Sequence, residues 1–250
     1  GQNFLQDQGI IHSIVALINP SPDMHMIEIG PGLGALTRPL LNNLDQLDLL
    51  EIDRDLVQYW IEENLQGLRV IEGDALKFNF DEWSQNRSGK VGLCKVVGNL
   101  PYNISSPLLF HLVSAAANID EQVFMLQAEV VERMVAKAGS SDFSRLSVML
   151  QARYDMELVL EVPPEAFDPA PKVNSAVVRM IPRKDFCLTQ SQWNSLEQVV
   201  PAAFSQRRKM LRTNLQAFAD RLKLSEEELK ARAQDISVDR YIQWAKILAV

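Results

Sequence analysis

Cysteine is almost missing from this 250-residue chain: Cys94 and Cys187 are the only two, and they form no Cys-x-x-Cys. That excludes a disulfide framework and a zinc ribbon, and makes a reducing, cytoplasmic compartment the expectation. Long apolar runs are missing too, so no membrane span and no membrane partner are expected. The three histidines, His12, His25 and His111, are scattered without metal-ligand spacing, and no metal is expected. The first residues have neither the charged start nor the apolar middle of a signal peptide. They also lack a Met, which leads us to expect the natural start upstream. There is no internal repeat and no low-complexity tract.

What remains is an ordinary globular mixture, 47% hydrophobic and 23% charged, long enough for one to two domains with a sizeable core. The net charge of −7 argues, taken whole, against a nucleic-acid partner. Its distribution argues the other way. Residues 1–185 carry 15 basic and 25 acidic side chains, whereas residues 186–250 carry 10 and 7. Within 201–223, Arg207, Arg208, Lys209, Arg212, Arg221 and Lys223 stand against Asp220 alone. An acidic body with a basic tail suits a polyanionic partner, although a solvated helix face explains the charge equally well.

Up to about residue 185, short β-rich runs alternate with helical stretches, the pattern of a parallel sheet covered by helices. Strands are predicted at 24–29, 47–52, 68–72, 93–97 and 123–127, and helices at 35–44, 53–65 and 106–117. A late β pair is predicted at 156–162 and 176–181. Beyond 185 the β signal stops, and amphipathic helices are predicted at 193–204, 208–219 and 238–248. Ser225-Glu226-Glu227-Glu228 reads as a helix start with a capping box. The expected organisation is an α/β domain over 1–185 and a helical domain over 186–250.

Three features at strand ends carry chemistry. Glu28-Ile29-Gly30-Pro31-Gly32-Leu33-Gly34 leaves the first strand and enters a helix, where glycines let backbone approach a ligand. Glu51 follows Gly30 by 21 positions and ends the second strand, where a carboxylate can accept from both ribose hydroxyls. Asp74 ends the third, where a carboxylate can accept from an adenine amine. The loop and Glu51 each have a bland alternative, a tight turn and a helix-start acid. Together they describe a site for an adenosine-containing cofactor. The spacing is not the Gly-x-Gly-x-x-Gly of dinucleotide binders. It resembles the S-adenosylmethionine loop of Rossmann-like methyltransferases.

Asn99-Leu100-Pro101-Tyr102 follows the fourth strand. Adenine N6 is a poor nucleophile because its lone pair is delocalised into the ring. Acceptors on its hydrogens, supplied by the Asn99 amide oxygen and the Leu100 carbonyl, favour the pyramidal geometry that attacks a sulfonium methyl. Pro101 restricts the residue before it and so fixes where that carbonyl points. Tyr102 can stack on the base.

Six ordered segments now add up to a family: Gly1-Gln2-Asn3-Phe4-Leu5, the glycine loop, Asn99-Leu100-Pro101-Tyr102-Asn103-Ile104-Ser105, Arg145-Leu146-Ser147-Val148, Phe167-Asp168-Pro169-Ala170-Pro171-Lys172-Val173-Asn174-Ser175 and Phe204-Ser205-Gln206-Arg207-Arg208-Lys209. The chain resembles the ribosomal RNA adenine dimethyltransferases, most closely their bacterial small-subunit branch. The resemblance implies a Rossmann-like class I S-adenosyl-L-methionine-dependent methyltransferase domain with a small all-helical C-terminal domain. It implies transfer of methyls to N6 of two adjacent adenosines near the 3′ end of 16S rRNA, and a role in small-subunit biogenesis. The implied cofactor contacts are Asn3, Leu5, Gly30, Gly32, Glu51, Asp74 and Asn99. The implied catalytic pocket is Asn99, Leu100, Tyr102 and Phe167, the last able to give the second face of a stacking sandwich. Arg207, Arg208, Lys209 and Arg212 would bind RNA, with Arg207 to Lys209 opening a helix. A monomer is expected, with 16S rRNA in the small subunit as its partner.

Two departures stand out: Ser144 precedes Arg145 where the family more often has Gly, and the basic residues usual before the first motif are not in this sequence. Large-subunit dimethylases share the Phe-x-Pro-x-Pro-Lys-Val segment, but the Gln206–Lys209 run and long helical tail favour the small-subunit type. A DNA adenine methyltransferase would need a larger target-recognition domain. A noncatalytic assembly factor would not need the intact Asn99–Tyr102 motif, and a nicotinamide dehydrogenase has the wrong loop spacing.

Overall fold

The computed structural model describes residues 3–86 and 92–249, so Gly1 and Gln2 of the first motif lie outside the described residues. Nine strands are described: β1 Phe4–Leu5, β2 His25–Ile29, β3 Leu47–Glu51, β4 Leu68–Glu72, β5 Cys94–Asn99, β6 Glu121–Gln127, β7 Tyr154–Val162, β8 Phe167–Asp168 and β9 Ser175–Pro182. The α-helices are α1 Gln8–Ile18, α2 Thr37–Leu41, α3 Arg54–Glu63, α4 Phe80–Gln85, α5 Ser105–Leu112, α6 Ala128–Val135, α7 Arg145–Gln151, α8 Gln190–Ala203, α9 Leu211–Asn214, α10 Ala219–Leu222, α11 Glu226–Lys230 and α12 Val238–Leu248. They form two compact units, Gly1–Val131 with Met156–Pro182, and Glu132–Asp155 with Arg183–Val250.

The first unit is built on a seven-stranded sheet in the order β4-β3-β2-β5-β6-β9-β7. β2 to β6 pair in parallel, and β9 runs antiparallel to β6. Every residue of β2 and β3 is buried, as expected of strands covered by helices on both faces. The chain turns one way from β2 to β3 and the other way from β2 to β5. The crevice at that reversal, beyond the carboxyl ends of β2 and β5, is where open α/β sheets bind ligands. A separate two-stranded ribbon pairs β1 with β8, Phe4 opposite Asp168 and Leu5 opposite Phe167. Gln6 and Asp7 N–H groups both donate to the Ala166 carbonyl, at 2.8 and 3.2 Å, and Asp7 then caps α1 through Ile10 N at 2.9 Å. Ile11, Ile14 and Ile18 form the buried face of that helix.

In the second unit α8 packs on α12, and Phe143, Phe204, Tyr241 and Trp244 form a continuous aromatic cluster. The Ser225–Glu228 capping box is present. Two features differ from the sequence reading. Residues 132–155, placed in the α/β domain by a single boundary near 185, group instead with the C-terminal helices, because α7 packs on α8 and α12. A contiguous cut cannot express a segment that leaves one unit and returns to it. The helix predicted at 208–219 is also broken into α9, a 3₁₀ turn at Gln216–Phe218 and α10. Asn214 Nδ2 donates to the Ala203 and Gln206 carbonyls, which closes α8 and holds 204–209 as a turn. Met210 is extended and bridges Arg232, so helix cannot begin before Leu211. Arg207, Arg208 and Lys209 therefore sit in a turn and do not open a helix.

Candidate functional site

A cavity of about 960 Å³ opens at the carboxyl ends of β2, β3 and β5. Its floor is the glycine loop. Gly30, Gly32 and Gly34 all have positive φ. Gly34, at φ +90°, is the tightest, because a Cβ there would lie 2.4 Å from the Trp60 ring. Trp60 Nε1 in turn donates to the Gly32 carbonyl at 3.0 Å, so α3 holds the loop's shape. Gly98 matters for a different reason: a Cβ would lie 2.5 Å from the Ile29 carbonyl, and its absence lets β5 approach the end of β2.

Glu51 lies on the wall, buried, with Oε1 accepting from Ile52 N at 2.8 Å and Asp53 N at 2.9 Å. One oxygen thus fixes the carboxylate and the other is left for a ligand. Behind the loop, buried Glu28 accepts from Thr37 Oγ1 at 2.7 Å. Burial pushes the Glu28 carboxyl up to about 7, the Thr37 hydrogen bond opposes that shift, and the Glu51 charge adds to it. The folded value exceeds the unfolded value of about 4.5, so the fold favours the protonated acid. Its contribution is complete below pH 4.5 and is lost as pH rises through 7. Glu28→Gln is therefore expected to flatten the decline in urea midpoint between pH 5 and pH 8, and to raise the midpoint at pH 8. An unchanged slope would show that Glu28 is not the group responsible.

The opposite wall comes from Asn99, Leu100, Pro101 and Tyr102. Leu100 N donates to the Met125 carbonyl at 3.1 Å, which places the turn directly beyond the β5–β6 pairing. Asn3, Phe4, Leu5 and Phe167 line the cavity from the β1–β8 ribbon. Phe167 also belongs to the apolar core with Leu5 and Ile11, so this ring both packs inside the unit and lines the cavity.

Of the candidates named from sequence, Asn3, Leu5, Gly30, Gly32, Glu51, Asn99, Leu100, Tyr102 and Phe167 all line this one cavity. Asp74 does not. It stands beyond the end of β4, where its Oδ1 accepts from Leu76 N at 2.9 Å and its Oδ2 lies 3.8 Å from the exposed Lys77 Nζ. Leu33, Arg38 and Ile52 line the cavity and were not singled out. Arg38 had no sequence signal: it is held by Glu63 at 2.6 Å and Tyr59 Oη at 2.8 Å, both on α3.

The second unit displays Arg207, Arg208, Lys209 and Arg212 as exposed side chains. Among the described residues none of the four has an ionic partner within the chain. Arg240, by contrast, is tied to Glu228 at 2.5 Å, and Arg221 to the Leu248 carbonyl. The histidines have local roles. His25 stacks on Trp83 at 4.1 Å, while His111 and His12 each hydrogen bond a backbone carbonyl.

Among the described residues no helix is long and apolar enough to cross a membrane. A family model described as ribosomal RNA adenine dimethylase matches residues 1–250. The ribosomal RNA small subunit methyltransferase A of Cupriavidus metallidurans is 50% identical over 257 residues, covering 99% of this chain and 91% of that protein. The crystal structure of a dimethyladenosine transferase from Plasmodium falciparum is similar with a TM-score of 0.79 at 25% identity, over 96% of this chain and 95% of that one. That of the 23S rRNA methyltransferase ErmE, at 24% identity and a TM-score of 0.70 over 98% and 99%, shares the fold.

Proposed function

The chain belongs to the ribosomal RNA adenine dimethylase family, and from that premise we propose that it transfers methyl groups from S-adenosyl-L-methionine to N6 of two adjacent adenosines near the 3′ end of 16S rRNA. Each becomes N6,N6-dimethyladenosine, within a cytoplasmic small ribosomal subunit that is still maturing. The observation that carries this reading is that one cavity is lined both by the glycine loop with Glu51 and by Asn99 to Tyr102 with Phe167.

The residues present fit the cofactor. Glycine backbone leaves room at the end of β2, and Glu51 keeps one oxygen free for a ribose diol. Asn3, Leu5, Gly30, Gly32 and Asn99 would complete that half of the site. When bound, the cofactor supplies an electrophilic methyl whose S–C bond breaks with its electron pair staying on sulfur.

The chain's own part is orientation. Asn99 Oδ1 and the Leu100 carbonyl accept from the N6 hydrogens and draw the lone pair out of conjugation. Tyr102 and Phe167 hold the flat faces of an adenine that has left its stack. No strong base is needed, because the N6 proton becomes acidic only once the new N–C bond forms. The rate then comes mainly from alignment.

Arg207, Arg208, Lys209 and Arg212 would contact phosphates. Replacing both Arg207 and Arg208 by Ala is expected to weaken binding to small subunits and to reduce the slope of log affinity against log salt by about 1.5 to 2. Filter binding between 50 and 200 mM salt reads this, and an unchanged slope removes the two arginines from the interface. The proposal as a whole is tested with labelled S-adenosylmethionine and undermethylated small subunits, with large subunits and duplex DNA in parallel. Dimethyladenosine in small-subunit rRNA alone is the expected result. Label in DNA or large subunits would overturn the target.

A further inference from the structure

We propose that Ser175 is a positioning residue that fixes the Tyr102 ring and through it governs the second methyl transfer more than the first. This rests on the target-base pocket assigned above. Ser175 opens β9, pairs in register with Gln127 of β6, and is only 1% exposed. Its Oγ shares a hydrogen bond of 2.9 Å with Tyr102 Oη, across 73 positions of sequence. The Tyr102 carbonyl meanwhile accepts from Ser105 Oγ at 3.0 Å. The tyrosine is thus pinned at both ends, its main chain from α5 and its ring tip from β9. The ring between these anchors is half-buried and lines the cavity.

The chemistry makes the two transfers unequal. Unmethylated adenine offers two N6 hydrogens, matched by the Asn99 oxygen and the Leu100 carbonyl. After one transfer a single hydrogen is left, and one acceptor has nothing to hold. The second transfer needs the same alignment of the nitrogen lone pair with fewer hydrogen bonds to impose it. Stacking on Tyr102 does not depend on the N6 hydrogens, so its share of the orientation rises in the second step. A ring released from Ser175 can pivot, and the step that leans on it more is the one that suffers more.

Ser175→Ala and Tyr102→Phe each remove one partner of the hydrogen bond and keep the ring. Both, and the double variant, would be assayed in single-turnover reactions with undermethylated small subunits. N6-methyladenosine and N6,N6-dimethyladenosine are counted by mass spectrometry of the digested rRNA. Each single variant is expected to slow the second transfer about fivefold, the factor that one ordinary hydrogen bond supports, with a smaller change in the first and a visible monomethyl intermediate. Cofactor affinity measured by calorimetry is expected to be unchanged. The double variant is expected to match either single, because both act through one contact. A wild-type monomethyl share in the single variants overturns the inference, and so does a double variant whose loss is the product of the two. If Ser175→Ala does not fold, Tyr102→Phe decides alone by the same share. A wild-type protein that dimethylates no small-subunit adenosine overturns the function reading itself. Normal wild-type dimethylation with an unchanged ratio in the variants overturns only the role of Ser175.

Discussion

Asn99→Ala is expected to lower kcat on undermethylated small subunits by about 100- to 1,000-fold and to leave subunit affinity within about twofold. The asymmetry follows from where the side chain works. Asn99 ends β5, opposite Met125 of β6, and the next N–H is tied to the Met125 carbonyl. The backbone of the turn is therefore set by the sheet and survives loss of the amide. On the proposed mechanism, what is lost is an acceptor on an N6 hydrogen. That contact strengthens as the nitrogen becomes pyramidal and its hydrogens more acidic, so it counts mostly in the transition state. On the function proposed above, subunit affinity comes from phosphate contacts of Arg207, Arg208, Lys209 and Arg212, which are exposed. Asn99→Asp retains an acceptor oxygen and is expected to keep more turnover than the Ala variant. Full turnover in Asn99→Ala would remove the acceptor role.

The parts of this site that could be read from sequence are those fixed by local geometry. A strand of buried residues followed by Gly30-Pro31-Gly32-Leu33-Gly34 can take positive φ at all three glycines, as a tight turn at a strand end requires, and the loop stands where it was expected. Glu51 and Asn99 end their strands as the pattern required, within one or two residues. Features that depend on distant partners were not legible. β1 and β8 are two residues each and pair across more than 160 positions, so neither has a periodicity of its own. Yet that ribbon carries Leu5 and Phe167 to the cavity. Asp74 follows β4 as the pattern required, with a local turn formed by its Oδ1 and Leu76 N, but it is not among the residues that line the cavity. The 208–219 stretch has helical periodicity, and Asn214 overrides it by bonding backwards to the end of α8.

The largest expected loss of stability lies away from the cavity, four residues back along the strand that presents Asn99. Lys95 of β5 sits opposite Glu121 of β6, both almost wholly buried, with Lys95 Nζ 2.6 Å from the carboxylate. Lys95 also donates to the Ile18 carbonyl at 2.6 Å, at the end of α1. Arg179 of β9 approaches the other Glu121 oxygen at 2.5 Å and is itself 43% exposed. Glu121 is thus the single anion shared by two cations, only one of which can return to water. Glu121→Leu is expected to cost about 3–5 kcal/mol, because it strands the Lys95 ammonium with one carbonyl for company. Arg179 can swing outward and adds little to that cost. Lys95→Met combined with Glu121→Leu removes the stranded charge, and is expected to be more stable than Glu121→Leu alone. Urea unfolding of the two variants and the wild type reads the difference. If the double variant were the least stable, the cluster would be a net source of stability and not a requirement for mutual neutralisation. The folded fraction of each variant is expected to keep the wild-type kcat, since Lys95 and Glu121 do not line the cavity. Loss of turnover at Asn99 and loss of fold at Glu121 should therefore separate cleanly, although the strand pair β5 and β6 carries both residues.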